Sequence, residues 1–171
     1  MFIAIRTWLS AAAITSALVV TASHGASGGT FKVGSIIIEN PWSRATPGGA
    51  KVAVGYLTIK NDGATPDRLV SATAAIAGRT EIHLMSMEDG VMKMRQVTDG
   101  LPVPANGSVV LEPNSYHLMF MDVTKPLKEG EQFPATLMLE HAGKVDVTFD
   151  VEAIGATVPG AVGHDHKSTH H

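Results

Sequence analysis

Methionine and histidine are the residues of this sequence whose types and spacing could do chemistry. Of the eight methionines, six fall in two short windows, Met85, Met87, Met92 and Met94 in one and Met119 and Met121 in the other. Each window also carries a histidine, His83 or His117. Thioether sulfur is a soft neutral donor and imidazole nitrogen a tolerant one; together they suit Cu(I) and offer little to Mg²⁺, Ca²⁺ or Mn²⁺. Zinc would accept the histidines but gain little from a thioether. A blue-copper electron-transfer centre needs a cysteine thiolate, and the chain has no cysteine. The donor set therefore points to carrying an ion rather than cycling electrons through it.

The elements that must position these donors are strands. Residues two apart on a strand share a face at a separation of about 6.5 Å, so His117 and Met119 can reach one ion. Asp89-Gly90 reads as a turn that folds the His83 segment back beside the Met94 segment. His83 and Met94 are then expected to face each other across the ladder, and the expected ligand set is His83, Met94, His117 and Met119. A single methionine is most often core filler, and a single strand histidine is more often structural than ligating. Two windows of this kind in one cysteine-free chain are what the filler reading leaves unexplained. Met85, Met87, Met92 and Met121 read as a soft rim or as core. Glu81 stands two positions before His83 and could accept its second ring proton, as carboxylates around metal sites do, although a solvated strand charge is the simpler reading. Trp42 and Arg44 are expected to seal the sandwich edge.

From residue 31 the chain runs in short β-branched and apolar segments separated by turn residues. Strands are expected at 31–39, 52–60, 67–73, 79–85, 92–97, 108–111, 116–123, 133–140 and 144–151. Between them stand Pro47-Gly48-Gly49, Asn61-Asp62-Gly63, Asp89-Gly90, Asn106-Gly107, Glu129-Gly130 and Ala142-Gly143, the hairpin and loop signals of an antiparallel fold. Only 72–77 hints at helix. The expected fold is all-β, a Greek-key β-sandwich in a single domain.

The ends of the chain read differently. Residues 1–26 have the layout of a signal peptide: one early charge at Arg6, an apolar run from Trp8 to Val20, then small residues that allow cleavage after Ala22 or Ala26. The apolar run is too short to span a bilayer, so the mature protein is expected to be exported, without stable membrane insertion. The formal net charge is −3, which favours neither nucleic acid nor an anionic membrane. The sandwich is expected to occupy 27–153, and residues 154–171 to form a flexible linker and tail. That tail carries His164, His166, His170 and His171, a possible secondary metal site that suits Cu(II), the divalent ion nitrogen donors hold best.

The stretch from Glu81 to Arg95, followed by Gly100-Leu101-Pro102 and by Tyr116-His117-Leu118-Met119-Phe120-Met121, resembles the periplasmic copper chaperone family called PCu(A)C. The resemblance extends from Pro41-Trp42-Ser43-Arg44 to about Val151, most of the chain without its leader. It implies a cupredoxin-like sandwich that binds Cu(I) through His83, Met94, His117 and Met119. It further implies delivery toward the copper centre of a cytochrome oxidase subunit, alongside a thioredoxin-like assembly factor. No nucleophile–base pair, His-Glu-x-x-His motif or phosphate loop suggests an enzyme. Copper storage or detoxification is the alternative within binding proteins, and an Ig-like interaction module without metal is the alternative outside them.

Overall fold

The computed structural model describes residues 28–160. The expected signal peptide and the four tail histidines lie outside the described residues. Among the described residues eleven strands form: β1 Thr30–Val33, β2 Ile36–Arg44, β3 Val52–Asn61, β4 Asp67–Ala74, β5 Arg79–Glu88, β6 Val91–Gln96, β7 Leu101–Val103, β8 Gly107–Leu111, β9 Tyr116–Met121, β10 Gln132–Leu139 and β11 Gly143–Glu152. The all-β expectation holds. The helix hinted at 72–77 does not form: β4 runs to Ala74 and a turn follows, closed by the Ala77 N–H on the Ala74 carbonyl. The first expected strand is two, split where Gly34 takes a φ of 56°, which glycine adopts without strain.

The strands join edge to edge in the order β6-β5-β9-β8-β3-β2-β11-β10-β4-β7, with β1 added to β2 and β9 also pairing β3. This sheet closes over itself. Phe120 on β9 meets Phe133 on β10 and Phe149 on β11 edge-on, at centroid distances of 5.4 and 5.5 Å, although those strands lie far apart in the sheet order. Gly55 on β3 lets the rings approach so closely, since a Cβ there would stand 2.6 Å from Phe120 and 2.9 Å from Phe149. Ile38, Leu57, Ile59, Leu118 and Leu137 complete the interior.

Alternation sets what faces outward. On β5 and β9 the even-numbered Ile82, Leu118 and Phe120 point into the core, so the odd-numbered residues occupy the outer face. On β2 the alternation is broken. Glu39 pairs Thr58 and Trp42 pairs Tyr56, so Asn40 and Pro41 together oppose Leu57. Asn40 takes the left-handed conformation, with a φ of 49°, and this one-residue bulge reverses the facing of the strand. Ile36 and Ile38 point inward before it. Beyond it Trp42 pairs Tyr56 on the outer face, while Ser43 turns inward and donates to the Val54 carbonyl at 2.6 Å.

Candidate metal centre

β5 lies between β6 and β9, and its register with each neighbour fixes the site. Against β9, His83 stands opposite His117 and Glu81 opposite Met119. His83, His117 and Met119 therefore share the outer face on adjoining strands, and the two imidazole centroids lie 5.9 Å apart. Against β6, His83 stands opposite Gln96 and Met94 opposite Met85. This corrects the expected pairing of His83 with Met94: the Asp89-Gly90 turn is tight, so β6 returns in a register two residues away. Met94 is instead a diagonal neighbour of His83, about 7–8 Å away between Cα atoms, a distance long side chains can span. It is half exposed and is not gathered with the other three donors.

The hydrogen bonds assign a tautomer to each imidazole. His117 Nδ1 lies 3.0 Å from the Ser115 carbonyl oxygen; a carbonyl only accepts, so Nδ1 carries the proton and Nε2 keeps its lone pair. His83 Nε2 lies 2.8 Å from Glu81 Oε2, and the carboxylate likewise requires the proton on Nε2. His83 Nδ1 is then a lone pair that is buried and has no hydrogen-bond partner among the described residues. Such orphans are rare and need a cause. An electron-pair acceptor seated between the histidines would supply one. Thr80 Oγ1 is the other buried side-chain atom without a partner, and it lies on the core-facing side of β5.

The electrostatics favour neutral donors. Burial lowers the pKa of His117, the Ser115 bond opposes this in part, and the neighbouring His83 lowers it further. Glu81 is held below the usual carboxylate range by its bond to His83 and then by the Arg79 guanidinium, 3.0 Å away. Glu81 thus belongs to this cluster rather than standing as a solvated charge, and its i, i+2 spacing from His83 was the available signal. Arg79 is held in turn by Asp122 at 2.8 Å.

The same face continues across β3. Met119 stands opposite Val54, and beyond Val54 lie Tyr56 and Trp42 with ring centroids 4.5 Å apart. The Arg44 guanidinium sits 5.7 Å from the Tyr56 ring centre and its Nε donates to the Ala156 carbonyl at 2.6 Å. Ala156 is buried against these two rings, so the segment expected to be a flexible linker begins with a packed contact. Trp42 and Arg44 thus meet Tyr56 and Ala156 in one cluster outside the main core. Among the described residues no three His, Cys, Asp or Glu side chains converge as a metal site. No helix among them is long and apolar enough to cross a membrane.

The likenesses to known proteins agree with this architecture. Protein Lxx21020 of Leifsonia xyli subsp. xyli is 27% identical over 115 residues, covering 67% of this chain and 68% of the relative. The copper-bound PCuAC domain from PmoF2 superposes with a TM-score of 0.64 at 29% identity, over 73% of this chain and 98% of that domain. The Cu(I)-bound DR1885 of Deinococcus radiodurans superposes with a TM-score of 0.54 at 26% identity, over 77% and 85% of the two chains. The family model for LpqE-like lipoproteins matches residues 36–151, from the first core residue of β2 to the last core residue of β11, and this chain, built like a PCuAC domain, belongs to that LpqE-like family.

Proposed function

We propose that this protein is a periplasmic copper metallochaperone, which carries one Cu(I) on the outer face of β5 and β9 and delivers it for assembly of the copper centre of cytochrome oxidase. The observation that carries the reading is the buried, unpartnered Nδ1 of His83, set beside a His117 whose own free nitrogen is Nε2. Two lone pairs fixed on adjoining strands suit a cation with a low coordination number. Met119 would add a thioether from the His117 strand, and Met94 would complete the set from the other side of β5.

The uneven placement of the ligands favours transfer over storage. Three donors sit on a rigid sheet and the fourth, Met94, is exposed, so an acceptor's sulfur could replace it before the ion leaves. Copper-bound and Cu(I)-bound structures among its relatives in fold support the choice of metal. Anaerobic titration with Cu(I) is expected to give one tight equivalent, weakened in Met119→Leu and Met94→Leu, which keep volume but remove sulfur. Binding as tight as the parent in both variants would overturn the ligand set. Ready exchange with an apo acceptor domain would separate delivery from storage.

A further inference from the structure

The β5–β6 hairpin has two faces, and their polarity is the reverse of what its position demands. Near the body of the sheet the core-facing side carries Ile82 and Leu84. Further out the same side carries Ser86 opposite Lys93 and then Glu88, with Lys93 Nζ and Glu88 Oε2 2.9 Å apart, so the hairpin has left the core behind. The opposite side turns out to solvent beyond His83, where polar residues are the norm. It carries Met85 opposite Met94 and Met87 opposite Met92. Met87 is 64% exposed, Met92 47% and Met94 50%. None of these four thioethers belongs to the hydrophobic core or packs against it, so gap-filling, the ordinary use of methionine, does not account for them.

We infer that the outer rung, Met87 with Met92, is a second site for a soft monovalent cation, separate from the histidine centre and completed by Met85. The geometry suits it. Directly paired residues have Cβ atoms about 4.5–5.5 Å apart, and a cation bound linearly between two sulfurs, taking about 2.3 Å per bond from zinc thiolates as a yardstick, needs them about 4.6 Å apart. Thioethers carry no charge and bind no proton in the physiological range, so the site excludes hard cations. Met85 of this site and Met94 of the centre share the next rung inward, so Met85 stands one two-residue step from Met87 and one from His83. An ion taken up at the tip can move inward from sulfur to sulfur without crossing charged surface. The inference shares with the proposed function only the choice of a soft metal, and its test reads the two sites separately.

The test is methionine-methyl NMR of the full-length protein labelled with ¹³C, titrated with Ag(I), a soft cation without redox chemistry. The Met119 signal should shift in a first step and the Met87 and Met92 signals in a second, and the second step should persist in His83→Ala/His117→Ala. Silver held by the tail histidines leaves these methyl signals in place, and because both tip positions are exposed, Met87→Leu/Met92→Leu should fold normally and lose only the second step. Met87 and Met92 signals that stay fixed while Met119 shifts would overturn the tip site and leave the centre standing. The opposite pattern would sustain the tip and overturn the centre.

Discussion

Glu81 offers the sharpest test of the centre, because its contribution passes entirely through another residue. Its carboxylate accepts the Nε2 proton of His83 at 2.8 Å and so leaves Nδ1, the buried atom without a partner, as the coordinating nitrogen. Glu81→Leu removes the acceptor, frees the ring to rotate and allows the proton to move to Nδ1, where it blocks the metal. Loss of such an outer-shell acceptor costs about 10–100-fold in metal affinity. Glu81→Gln keeps a neutral acceptor, whose hydrogen bond is roughly half as strong as a charge-assisted one, so its loss should sit at the low end of that range. Competition against a Cu(I) chelator under anaerobic conditions reads both variants, with thermal unfolding of the apo forms as the control. The fold should survive, because Arg79 keeps its 2.8 Å bond to Asp122. The carboxyl pKa is lowered by His83 and Arg79, so Glu81 loses its hydrogen-bond-accepting role only below the ordinary carboxylate range. Parent-like affinity in Glu81→Leu would refute the assignment of Nδ1 as the donor.

Three further outcomes follow from named groups. Folded His117 has a lowered pKa because it is buried, so the unfolded chain binds its proton first and apo stability should erode as pH falls below about 6.5; chemical denaturation across that range measures it, and His117→Ala should flatten the dependence. Burial alone would raise the pKa of Asp67, but the N–H groups of His141, Arg68 and Ala142 outweigh it and lower the value. Its side chain is 5% exposed, and Asp67→Ala, which leaves those three donors without a partner, should cost at least about 2 kcal/mol in urea unfolding. Deleting residues 164–171 should abolish Cu(II) binding and spare the Cu(I) equivalent; full Cu(II) capacity in the truncated chain would rule out a tail site.

Strands bounded by Gly, Asn and Asp were legible because those residues carry the positive φ their turns need: Asp89, Gly90, Asn106, Gly130 and Gly143 all adopt it. β7 escaped notice because Pro102 sits at its centre, a residue that reads as a breaker but is tolerated where β7 pairs only β4 at the sheet edge. His117 and Met119 were legible as one face because spacing by two residues within one strand needs no knowledge of long-range pairing, whereas His83 joins them only through the β5–β9 register. The place of Met94 was not, since hairpin register depends on which residues enter the turn, and one step along the turn moves a partner by two. Nor could the sequence display the packing of Ala156 on Trp42 and Tyr56, which depends on where a distant strand leaves the sheet.

The extra residue in β2 acts as a phase shift in an otherwise periodic signal. Ahead of it the strand answers to the interior, through Ile36 and Ile38; behind it the same strand answers to the surface that adjoins Met119, through Trp42 and Arg44. Drawing Asn40 into the ladder as an ordinary paired residue would impose a single period, and with it drive an indole and a guanidinium toward the space that Ser43 now fills while turning that hydroxyl out to water. The strand would keep its composition and lose its meaning. The two halves therefore keep their separate tasks only while that residue stays out of the ladder.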